Sequence, residues 1–139
     1  MDFSIAVAIE ASPERVWAVM SDVERWPEWT PSVSRLELLS PGPLAIGSKA
    51  RIRQPKFPPA IWRVTALEPG VSFSWVSTAP GLVVSGQHAV AARDGGTQAT
   101  LSLHFGGPLG GLWARVTRGI TEQYLGFEAA GLKRRSEIV

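Results

Sequence analysis

Along residues 2–10, "DFSIAVAIE", apolar and polar positions alternate, and Phe3, Ile5, Val7 and Ile9 share one face. That period of two predicts a half-buried strand. At Ser12-Pro13-Glu14 the pattern changes. Ser12 can accept from the free amides of a helix start, Pro13 fits the first helical position, and Glu14 suits its positive end. Val16, Trp17, Val19 and Met20 give this short helix an apolar side. Asp22 can cap a second helical turn, which Pro27 and Pro31 keep short.

From residue 32 to 106 the pattern predicts strands alone, at 33–39, 48–54, 61–67, 71–77, 83–92 and 97–105. Turn signals separate them: Ser40-Pro41-Gly42-Pro43, Pro55 with Pro58-Pro59, Glu68-Pro69-Gly70 and the hairpin sequence Asp94-Gly95-Gly96. Short connections imply a mostly antiparallel meander. After Gly107-Pro108 the period becomes helical. Leu109, Trp113, Val116, Ile120 and Phe127 fall on one line, flanked by Leu112 and Tyr124, and predict one amphipathic helix of about 25 residues. Gly110, Gly111, Gly119, Gly126 and Gly131 are expected to weaken it, each by roughly 1 kcal/mol against alanine if interior. The order strand, two short helices, six strands, long helix is satisfied by one curved antiparallel sheet gripping a single helix. Such a sheet encloses more volume than one helix fills, so a cavity is expected.

Composition narrows the function classes. The 139 residues fit one domain, 1–139, with enough chain for a real core. Without cysteine, disulfides and thiol chemistry are excluded. No apolar run reaches the roughly 18 residues of a membrane span, and no signal-peptide pattern opens the chain. The expected location is the cytoplasm. A net charge of +2 and the lone basic run Lys133-Arg134-Arg135 favour capping of the last helix over nucleic-acid binding. Six tryptophans supply rigid apolar surface.

The stretch "ASPERVWAVMSDVERWPEWTPSV" resembles the N-terminal motif of the polyketide cyclase/dehydrase and lipid-transport family. That family belongs to the START-like (SRPBCC, pollen-allergen-like) superfamily. "VTALEPGVSFSW", "GQHAV", "GGTQATL", "GPLGGL" and "GLKRRSE" extend the resemblance over the whole chain. It implies an α+β helix-grip fold of about seven strands in the order β-α-α-β6-α, with an internal cavity. Members bind lipids, sterols, quinones, polyketides or hormones, and some are enzymes. The paired short helices of relatives plug one end of the sheet, which gives Trp26 and Trp29 the role of apolar anchors.

Alternation assigns the facing of each strand. Val71, Phe73 and Trp75 are expected inside, as are Trp62, Val64 and Ala66, because Arg63 on the opposite face would otherwise be buried unpaired. Lys49, Arg51 and Arg53 should face water and send Gln54 inward. Val84, His88 and Val90 share an inner face, as do Leu101, Leu103 and Phe105, with His104 outside. The expected ligand-binding wall is therefore Gln54, Trp62, Val64, Phe73, Trp75, His88, Val90, Leu103, Trp113, Val116, Ile120, Tyr124 and Phe127, together with Val84 and Leu101. His88, with Tyr124 or Gln54, is the candidate proton carrier if the cavity is catalytic. Glu128 lies off the apolar stripe and is expected to be exposed, which leaves no inward carboxylate.

Other chemistry is not expected. His88 and His104, on opposite faces, do not make a metal site, and no cofactor is expected. "GGPLGG" lacks the Lys-Ser/Thr of a phosphate loop. No serine is expected to share a surface with a histidine and a carboxylate. The basic row has no aromatic neighbours for a nucleic-acid groove. The leading expectation is a monomeric or homodimeric binding protein for an apolar, aromatic or polycyclic small molecule. A cyclase- or dehydratase-type enzyme is the alternative, and an interaction module with a vestigial cavity is the third.

Overall fold

The alternating segments form seven strands in the computed structural model, which describes residues 1–138. The strands are β1 (Asp2–Ile9), β2 (Arg35–Leu38), β3 (Lys49–Arg53), β4 (Ala60–Glu68), β5 (Ser72–Ala79), β6 (Leu82–Arg93) and β7 (Gly96–Gly106). Helix α1 (Pro13–Ser21) and a 3-10 helix (Val23–Glu28) stand between β1 and β2. Helices α2 (Gly110–Val116) and α3 (Arg118–Glu137) follow β7. All strand pairs are antiparallel, in the order β1-β7-β6-β5-β4-β3-β2. Each hairpin joins neighbours, and β1 closes against β7 because the chain returns to its start. Among the described residues, no helix is long and apolar enough to cross a membrane.

The start of α1 is as expected: Ser12 Oγ accepts the Arg15 amide at 3.2 Å, with Pro13 in the first turn. Asp22 makes no side-chain cap and instead pairs with Arg25 at 3.1 Å. Trp26 and Trp29 are both buried, with ring centroids 5.6 Å apart. Trp26 Nε1 donates to the Met20 carbonyl at 2.9 Å, which ties the 3-10 helix to α1. The two helices thus present an aromatic wedge to the sheet.

Arg134 and Arg135 of the basic run stand in the last turn of α3, at its negative end as expected, and they also reach out to the wedge. Arg134 donates to the Trp29 carbonyl at 3.1 Å and Arg135 to Glu28 Oε1 at 2.7 Å, so two of its members clamp the wedge. The open carbonyls at the end of α3 are met by Arg15 of α1, which donates to those of Arg135, Ser136 and Ile138 at 3.2, 3.4 and 3.3 Å. A cation from another element thus joins the two arginines of the run at the negative end of the helix.

Three further expectations change. The long helix breaks at Thr117, which separates α2 from α3. A β-bulge between Val64 and Ala66 flips the end of β4, so that Ala66 is exposed and Leu67 packs inward opposite Phe73. Val71, expected inside, is 42% exposed, because it precedes β5 in the turn.

Candidate functional site

A cavity of about 290 Å³ lies between the concave face of the sheet and α3. Its rigid side is aromatic. Trp75 packs against Trp62 at a centroid distance of 5.9 Å and against Trp26 at 5.4 Å. Opposite Trp75 on β6 stands Gly86, where a Cβ would lie 3.1 Å from the indole. The missing side chain there gives the indole its place.

His88 sits inside this cluster. Its ring stacks on Phe73 at 4.3 Å with 7° between the planes, and Trp26 and Trp75 close around it at 5.3 and 5.5 Å. The side chain is buried and its Nδ1 has no hydrogen-bond partner. Burial pulls its pKa from 6.5 down to about 4, with partial opposition from the Phe73 backbone, so the ring is neutral near pH 7.

Of the expected wall, Gln54, Trp62, Trp75, His88, Leu103, Trp113 and Tyr124 line the cavity, with Val84 and Leu101. Val64, Phe73 and Val90 are buried outside that lining, as solid core behind it. Val116 is 72% exposed and takes no part in the cavity. Ile120 and Phe127 are half-buried but do not line it either. Trp113 lines the cavity while remaining 42% exposed, which places it at the rim.

The helix face explains these corrections. Thr117, at the break, and Thr121, Tyr124 and Glu128 on α3 share one face and all line the cavity. This face is mostly polar, so a search for an apolar stripe finds Tyr124 at its edge and leaves Thr117, Thr121 and Glu128 to solvent. Thr121 Oγ1 donates to Thr117 Oγ1 at 3.3 Å, and Thr117 Oγ1 to the Trp113 carbonyl at 2.7 Å. Tyr124 Oη accepts the Lys56 amide at 3.2 Å, and its ring meets Phe57 edge-on at 5.9 Å. The tyrosine thereby holds the loop between β3 and β4 and keeps its own proton free to donate.

Glu128, expected to be exposed, is the cavity's carboxyl group. Ser32 Oγ donates to Glu128 Oε1 at 3.4 Å, and Thr30 Oγ1 lies 2.7 Å from Ser32 Oγ. Burial pushes the Glu128 pKa from 4.5 up to about 7, with Ser32 opposing the rise. The cavity thus holds two titratable groups shifted in opposite directions: a histidine kept neutral and a carboxyl able to exchange its proton near pH 7.

A family model described as polyketide cyclase / dehydrase and lipid transport matches residues 1–137. The chain belongs to this family. No curated protein matches the sequence. The polyketide cyclase/dehydrase and lipid-transport chain is similar in structure to TTHA0849 from Thermus thermophilus, with a TM-score of 0.78 and 17% identity over 98% of this chain and 97% of that one. It is also similar to a START superfamily protein from Mycobacterium smegmatis, with a TM-score of 0.74 and 17% identity over 96% and 97% of the two chains. A third likeness is to the Zhui aromatase/cyclase from Streptomyces sp. R1128, with a TM-score of 0.73 and 20% identity over 97% and 94%. At these identities the likeness establishes the START-type helix-grip fold and no activity.

The outer face of the sheet corrects one exclusion. Asp2, His104 and Ser85 stand in one cross-strand row over β1, β7 and β6, so a serine does share a surface with a histidine and a carboxylate. His104 Nδ1 is hydrogen-bonded to Asp2, with the side chains 56% and 78% exposed. That bond holds the Asp2 carboxyl below its ordinary value. Ser85 is joined to neither partner among the described residues, so the row lacks the nucleophile–base contact of a hydrolase.

Proposed function

We propose that this family member is a cytoplasmic carrier that binds a mainly apolar, aromatic or polycyclic small molecule in its internal cavity. The observation that carries this reading is the open-mouthed cavity of about 290 Å³ between aromatic strand residues and α3, with a short polar line along the helix. Such a lining favours a flat apolar body through contact area and orients it through a few hydrogen bonds. A neutral apolar dye, N-phenyl-1-naphthylamine, is expected to enter the cavity and quench tryptophan fluorescence. Trp62→Ala removes part of the wall and should weaken the dye by about tenfold, roughly 1.4 kcal/mol. Trp17, half-buried and packed edge-on to Phe73 at 6.2 Å, does not line the cavity, so Trp17→Ala should leave the affinity within about twofold. Equal losses in the two variants would overturn the location of the site.

One observation favours a second reading, a cyclase- or dehydratase-type enzyme. His88 and Glu128 share the cavity with pKa values moved apart, to about 4 and about 7, as an acid–base pair requires. On a polyketide-like substrate, an enzyme that uses His88 should lose about a hundredfold in turnover in His88→Gln, with binding intact. In a carrier the same variant should keep ligand affinity within about tenfold. Turnover that depends on His88 would replace the carrier reading with the enzymatic one.

A further inference from the structure

We propose that the preferred occupant of the cavity is a protonated organic amine, its ammonium paired with the Glu128 carboxylate and its apolar body laid against Trp26, Trp62 and Trp75. This inference rests on the cavity being the binding site and adds the charge of the ligand.

No lysine or arginine lines the cavity that Glu128 faces. The carboxyl accepts from the hydroxyl of Ser32, which is bonded in turn to that of Thr30; these offer hydrogen bonds and no charge. The titratable groups that share the space are His88 from β6, which is neutral near pH 7, and Tyr124 on α3 itself. From the elements packed on α3, Arg15 of α1 and Glu10 beyond β1 are exposed and bound to the far end of the helix. A carboxylate withdrawn from water without a cation costs several kcal/mol and takes up a proton instead. Glu128 does so, with its pKa raised to about 7.

A ligand that carries the missing cation removes that cost. A neutral ketone or phenol does not, because it asks only for a hydrogen bond, which a serine or threonine gives without the desolvation of a carboxyl group. An anion would be repelled as Glu128 ionises. The aromatic side of the cavity points the same way. Indole faces attract ammonium groups, most strongly where water is excluded. The indoles of Trp26, Trp62 and Trp75, with Trp113 at the rim, and one carboxyl in the same cavity form the two halves of a site for a hydrophobic cation.

The test uses two probes of nearly equal shape, 1-naphthylmethylamine, which is a cation near neutral pH, and 1-naphthylmethanol, which is neutral. Binding is followed by tryptophan quenching between pH 6 and pH 8. At pH 8 the amine is expected to bind at least about tenfold more tightly than the alcohol. Its affinity should fall about tenfold on going down to pH 6, as Glu128 holds its proton more firmly, while that of the alcohol stays level. In Glu128→Gln the amine should drop to the affinity of the alcohol and lose its pH dependence. If that variant does not fold, the wild-type pH comparison decides alone. Equal binding of amine and alcohol at both pH values would overturn the cationic preference and leave the cavity reading standing. Binding of neither probe would overturn both.

Discussion

Replacing Gly131 with alanine is expected to destabilise the protein by about 3 kcal/mol or more, read from the denaturant midpoint at constant slope. A Cβ on Gly131 would stand 1.9 Å from the Trp29 carbonyl oxygen and 2.9 Å from its carbon. The obstacle is backbone. It is held in place by Arg134, which donates to that same carbonyl at 3.1 Å, and by the burial of the Trp29 ring. Relief therefore requires α3 and the wedge to part, which exposes Trp29 and Leu132. Gly126 is the control on the same helix, because a Cβ there meets nothing within 4 Å. Gly126→Ala should stabilise the fold by up to about 1 kcal/mol through helix propensity alone. If the two substitutions shift stability in the same direction, the close contact between α3 and the wedge is wrong.

Stability between pH 4.5 and 6.5 is expected to be nearly flat, and the flatness should disappear when either His88 or Glu128 is removed. The signs are opposite for the two groups. His88 has a folded pKa of about 4 against 6.5 unfolded. As the pH falls from 6.5 towards 4, the unfolded chain takes up a proton that the native state refuses, and stability is lost. Glu128 has a folded pKa of about 7 against 4.5 unfolded. As the pH rises from 4.5 to 7, the unfolded chain releases a proton that the native state keeps. Stability is lost in that direction and stays lost above pH 7. Each effect amounts to about 3 kcal/mol at most, at roughly 1.4 kcal/mol per pH unit. Their slopes cancel where they overlap. Glu128→Gln should therefore grow more stable as the pH rises from 4 to 6.5, and His88→Gln should grow less stable from 4.5 to 7. Urea melts at half-unit steps of pH would show this, and slopes of the same sign in both variants would contradict the placement of the two groups.

How much of this was legible from residue order depends on whether the deciding physics is local. The seven strands and the capped start of α1 follow from alternation, turn residues and a cap sequence, all of which act over a few neighbours, whereas the wedge is what the family resemblance implies. The same alternation turned His88 inward and Lys49, Arg51 and Arg53 outward. It failed at Ala66 and Leu67, because a bulge is set by pairing with β5 and leaves no mark in β4 itself.

The helix was read least well, for a related reason. Apolar periodicity locates a face that packs against solid core, but a face that borders a cavity is free to be polar. Thr117, Thr121, Tyr124 and Glu128 have the spacing of a buried face and the composition of a solvent one. Gly131 likewise reads as a weak helix position until Trp29 is brought against it from far away in the chain. Local order determined that this chain makes one curved sheet with a closing helix. Only tertiary packing decided which side of that helix meets the cavity, because burial and proton affinity depend on neighbours distant in sequence, and so Glu128 became its carboxyl group.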